Sequence, residues 1–257
     1  MKLVKMVCAA VLAVATAQAA AAGSLAEVSV YDRSEGRRLP VYWHEGRAWV
    51  VGKPGNEYQI SVRNRRGEDL LAVMSVDGIN VVTGETAKPQ QSGYVLAASR
   101  AMDVRGWRKS LERTAAFYFT ELADSYAART GRPENVGVIG VALYQRKRIE
   151  PAQHIAPLSR RAAPAPQDAV GASSDARGEV ESRAAERDSK LGTGHGRSES
   201  SHARTVDFER ASSTPAETIA LYYDSYRNLV ARGVIRGPRP HDPVPRPFPG
   251  FVPDPQG

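Results

Sequence analysis

Cysteine is the scarcest residue of this 257-residue chain: there is one, Cys8. It lies in an apolar N-terminal stretch that reads as a removable leader, so the remainder carries no thiol. A disulfide, a cysteine nucleophile and a cysteine-ligated metal are thereby excluded from the exported part. Cys8 stands at the start of the apolar run rather than its end, which excludes a lipid anchor through it. Beyond the leader no apolar run is long enough to cross a bilayer as a helix. The chain also lacks a G-x-S-x-G elbow, an H-E-x-x-H pair, a P-loop and an EF-hand loop. Residues 192–196, GTGHG, only echo a dinucleotide fingerprint, since no strand precedes them and no helix follows. No catalytic, cofactor-binding or metal-ligating residue is therefore assigned, and no cofactor is expected.

What is present begins with the leader. Residues 1–22 combine Lys2 and Lys5, a short apolar stretch over 7–15, and two small-x-small sequences, Ala17-Gln18-Ala19 and Ala20-Ala21-Ala22. This is the pattern of a secretory signal, and both sequences satisfy its cleavage rule. The protein is expected to be exported, periplasmic or extracellular. The formal charge of +7 includes the two leader lysines, and the arginines are spread along the chain rather than gathered in a run. Solvated surface arginine is the simplest reading. The sharper one is a face for an anionic envelope polymer or an envelope protein, ahead of nucleic acid.

Short strands separated by Gly- and Pro-containing turns dominate the next part. Residues 26–31 alternate; 39–43 and 48–51 flank a turn with Gly46. Trp43 and Trp49 can pair across this hairpin, as packing or as a sugar-stacking platform. Residues 56–84 read as three strands with Asp77-Gly78 as a tight hairpin turn that fixes register. Residues 93–97 and 115–120 are further strands, 122–129 a short helix with Asp124 as its N-cap, and 136–144 a central strand buried on both faces. Residues 145–191 are poor in large apolar side chains and are expected to be a flexible, disordered insert. After it, 192–196 reads as a loop and 204–210 as a strand. Residues 213–235 read as a strand to Tyr223 followed by a short helix closed by Gly233. The tail from 237 to 257 is Pro-rich.

Five histidines occur, His44, His154, His195, His202 and His241. His195, among glycines that free its backbone, is the one whose imidazole could be aimed at a substrate or a strand end.

Several runs together, LPVYWHEGRAWVVGKPGNEYQISVRN, LLAVMSVDGINVVTG, GWRKS, FYFT, DSYAARTGRP, NVGVIGVALY, LGTGHGR, DFERA, YYDSYRNLVARGVI and FPGFVPDP, resemble an uncharacterised family of exported proteobacterial β-rich proteins. The resemblance implies architecture and no activity. It spans most of residues 28–144 and 191–255. The expected fold is a mainly-β antiparallel β-sandwich, immunoglobulin-like or jelly-roll-like, with one or two short helices. Its domain is built from residues 23–144 and 192–236, interrupted by the insert. The expected function is non-enzymatic binding or structure in the bacterial envelope. The alternative is a periplasmic hydrolase or metal-dependent enzyme that uses His195 with nearby acids.

Overall fold

The computed structural model describes residues 21–148 and 190–237. Residues 1–20, the greater part of the expected leader, the insert over 149–189 and the tail from 238 lie outside the described residues. The chain forms a two-sheet β-sandwich with few short helices. The first sheet holds β1 (Ala21–Ala22), β2 (Ala26–Asp32), β3 (Arg37–Arg38), β6 (Glu57–Asn64), β10 (Ala101–Val104), β11 (Gly106–Arg108), β12 (Arg113–Glu121) and β14 (Leu191–Ser200). The second holds β4 (Tyr42–His44), β5 (Arg47–Gly52), β7 (Leu70–Val76), β8 (Ile79–Asn80), β9 (Tyr94–Leu96), β13 (Val138–Gln145) and β15 (Glu217–Ser225). Pairing is antiparallel except between β15 and β5, which run parallel.

Alternation in the sequence sets the faces. Tyr58, Ile60 and Val62 of β6 point inward while Gln59, Ser61 and Arg63 do not, and the same period places Val28 and Val30 on β2. They meet Met74, Ile139, Val141 and Leu221 from the second sheet in one buried cluster. β13 lies between β7 and β15. Its other face, Ala142 and Tyr144, packs with Leu71 and Val73 in a second small cluster against Phe208. That explains the unbroken apolar run read there.

Some expectations need correction. GTGHG is not a loop but lies within β14, paired with β12. Its glycines make room for a neighbour: a Cβ on Gly194 would sit 2.2 Å from the Tyr118 ring. Residues 201–209 form no strand; they run as an extended strap because their backbone bonds go to two separate places rather than along one ladder. The helix near 122 is a 3-10 turn (Leu122–Asp124) followed by α1 (Tyr126–Arg129). Ser125, not Asp124, is its N-cap, with Oγ accepting from Ala128 N at 3.1 Å. The edges expected for the insert, residues 145–148 and 191, belong to the folded part. The strand-then-helix reading of the last segment holds: β15 is followed by α2 (Tyr226–Ala231), and Gly233 has φ +74°.

One polar cluster sits inside this apolar interior. Asp77 and Gly78, with φ +53° and +74°, make the two-residue turn between β7 and β8. The turn aims the Asp77 carboxylate between the sheets. Its Oδ1 accepts from Gly137 N at 2.9 Å and from Tyr223 Oη at 2.5 Å, and its Oδ2 from Thr193 N at 2.8 Å. Thr193 Oγ1 lies 2.6 Å from both the Tyr223 and the Tyr58 hydroxyls. Each hydroxyl has one proton, so the chain runs one way: Tyr58 donates to Thr193, Thr193 to Tyr223, and Tyr223 to Asp77. Burial raises the Asp77 pKa to about 6, against the pull of Tyr223, Gly137 and Thr193. Burial, and then the Asp77 charge, hold both tyrosines well above their ordinary range, so they remain donors.

The raised pKa has a stability consequence. A carboxyl whose folded pKa exceeds its unfolded one contributes stability fully below the unfolded value of 3.8 and loses it as pH rises through about 6. The loss is at most about 3 kcal/mol. Asp77→Asn keeps the turn, since asparagine tolerates positive φ, but places an amide donor against a backbone donor. Urea unfolding of both proteins at pH 4 and pH 7 should show the wild type's advantage over Asp77→Asn shrinking toward pH 7 by up to about that amount. A pH-independent difference would contradict the assignment.

Candidate ligand cleft

The chain leaves the second sheet after β9 and enters the first at β10, and a cleft of about 890 Å³ opens at this corner. The strap, residues 201–211, crosses it. At one end Ser201 N and Ala203 N donate to Glu112 O and Leu111 O, both at 2.7 Å, on the turn between β11 and β12. At the other, Lys147 N donates to Glu209 O and Ala211 N to Gln145 O, both at 2.9 Å, at the end of β13. Arg146 lies over the Phe208 ring at 4.5 Å and Arg210 over Tyr144 at 4.3 Å. Between the anchors, Arg204, Thr205 and Val206 are exposed.

The apolar lining includes Leu71, Val82, Val95, Met102, Val206 and Phe208. Five arginines stand against two aspartates on the same walls, so the cleft carries a positive excess. Three of the arginines are committed. Arg108 donates to Ser201 O at 2.5 Å and to Tyr94 Oη at 3.1 Å; Arg146 pairs with Asp69 at 3.3 Å; Arg210 donates to Gln91 O at 2.6 Å. The side chains of Arg105 and Arg204 have no hydrogen bond or ion pair among the described residues. Asp103 accepts from Ser61 Oγ. Thr114, on the wall and 1% exposed, has a buried hydroxyl without a hydrogen-bond partner. An unpaired buried hydroxyl costs about 1–3 kcal/mol.

The residues singled out in the sequence do not gather here. His195 lies on the exposed face of β14 with its ring 5.4 Å from Tyr126. Burial and the positive charges of Lys109 and Arg129 push its pKa below the ordinary value. No hydrogen bond or ion pair joins it to a carboxylate or a second histidine among the described residues. His154 and His241 lie outside the described residues. No group of three His, Cys, Asp or Glu that could hold a metal ion occurs among the described residues.

Trp43 and Trp49 do not pair across their hairpin. The two-residue turn sets His44 opposite Arg47, Trp43 opposite Ala48 and Tyr42 opposite Trp49. The tryptophans therefore point to opposite faces. Trp49 is 7% exposed and packs on Tyr222 at 5.1 Å beneath Arg232. Trp43, at 58%, stands alone on the edge strand. The corner cleft is not legible in the sequence because its walls come from segments far apart, residues 69–114, Arg146 and residues 201–210. The one local signal was the apolar alternation of Val206 and Phe208.

The Asp77 cluster has the perturbed pKa and hydroxyl neighbours that mark many active sites, yet Asp77, Tyr58, Thr193 and Tyr223 are each at most 1% exposed and none lines the cleft. No helix among the described residues is long and apolar enough to cross a membrane. No protein-family model matches the chain, and no curated protein or solved structure matches it either.

Proposed function

We propose that this is a non-enzymatic binding protein of the bacterial envelope, exported by its N-terminal leader, and that the corner cleft receives an anion carrying an apolar portion. One observation carries the reading: Arg105 and Arg204, two cations without partners among the described residues, border a cleft whose wall also presents apolar side chains. Guanidinium groups match carboxylate and phosphate oxygens in two-pronged geometry. Leu71, Val95 and Phe208 offer the surface that an alkyl segment would remove from water. Envelope amphiphiles with a phosphate or carboxylate head combine both features. The enzymatic alternative has less support, since His195 has no acid partner among the described residues and stands apart from the cleft.

Calorimetric titration with dodecyl phosphate, inorganic phosphate and the neutral dodecyl maltoside tests this. Dodecyl phosphate is expected to bind at least about tenfold more tightly than either of the others, because each lacks one of the two terms. The double variant Arg105→Glu with Arg204→Glu should weaken it by about tenfold or more, and added salt should weaken the wild type's binding. Equal binding of the neutral amphiphile, or none by any of the three, would overturn the proposal.

A further inference from the structure

The way the chain enters the sandwich distinguishes the two leader cleavage sequences. Ala21 and Ala22 form β1, with Ala21 opposite Val28 and Ala22 opposite Glu27 on β2. Ala21 is 2% exposed and belongs to the same buried cluster as Val28 and Val30. The next residues are clamped to the opposite sheet. The Glu217 carboxylate, at the start of β15, accepts from Ser24 N at 2.6 Å and from Leu25 N at 2.8 Å. Gly23 N donates to Ala26 O at 2.8 Å, and Arg65 donates to Gly23 O at 3.2 Å. Gly23 passes so close to that carboxylate that a Cβ would sit 2.3 Å from Glu217 Oε1, so a side chain there would push the carboxylate out of its place.

The two cuts leave different proteins. A cut after Ala19 keeps β1. A cut after Ala22 removes it, uncovers the core beside Val28 and leaves backbone groups on the free edge of β2 without their strand partners. It would also place a new ammonium on Gly23, whose N–H is already used within the turn. We infer that signal peptidase cuts between Ala19 and Ala20, and that β1 is the first strand of the exported protein. The inference rests on reading the N-terminus as a leader. The removed part then ends before the first residue built into the core.

The full precursor, expressed in a bacterial host and recovered from the periplasm or medium, is read by N-terminal sequencing and intact mass. The expected first residue is Ala20. A protein beginning at Ala22 or Gly23 overturns the inference and leaves the export reading standing. A chain recovered only uncut from the cytoplasm overturns both. As an independent measurement, the chain beginning at Ala20 should melt roughly 2–4 °C above the chain beginning at Gly23. Equal melting temperatures would show that β1 adds nothing and would count against the inference.

Discussion

The sandwich depends on the contact between one carboxylate and two β-strands that reach it from different sheets. Asp77 stands on the β7–β8 turn of the second sheet and takes a backbone N–H from β14 of the first and a hydroxyl from β15 of its own. Through Thr193 the same chain of protons reaches Tyr58 on β6. Apolar packing between two sheets tolerates some sliding, because dispersion has no direction. Hydrogen bonds to a buried carboxylate do not tolerate it, since a lost partner leaves a charge or donor unsatisfied at a cost of about 1–3 kcal/mol or more. The cluster thus specifies how the sheets face each other. It stabilises only as long as every member is paired.

That arrangement also leaves the open space at one corner of the sandwich. The interior is filled by stacked aromatic rings, with Tyr58 4.3 Å from Phe119 and 5.4 Å from Phe117, and the polar groups of the Asp77 cluster are consumed by one another. Space remains at the corner between β9 and β10, and the strap lines one side of it. The strap is held at both ends by backbone bonds while its middle is exposed. Segments of this kind open at lower free energy than core strands.

Much of the architecture was legible in the sequence because strand period and turn chemistry are local. Asp77-Gly78 marked its hairpin, the run after Val136 marked the central strand, and the strand-to-helix switch near Tyr223 followed from two overlapping periods. The failures have the opposite character. Glycines at 192, 194 and 196 suggest a loop until Ser125 and the Tyr118 ring, from elsewhere in the chain, are seen to need the space. Trp43 and Trp49 suggest a pair until the turn length fixes which faces they take. Asp77 reads as a turn residue, which it is, but nothing nearby in sequence reveals that its carboxylate meets Thr193 and Tyr223. The cleft was illegible for the same reason: Arg105 and Arg204 acquire meaning only when the fold places both on the wall of one cleft.

The account holds that the Asp77 cluster is a sealed structural lock and that the corner cleft is the working surface. Amide hydrogen exchange with and without dodecyl phosphate tests both halves at once. The Gly137 and Thr193 amides, which donate to Asp77, should exchange only through global unfolding and at a rate set by overall stability. The ligand should selectively slow the strap-linked amides of Ala203, Lys147 and Ala211. Selective slowing at Gly137 and Thr193, with the strap amides unchanged, would contradict the account.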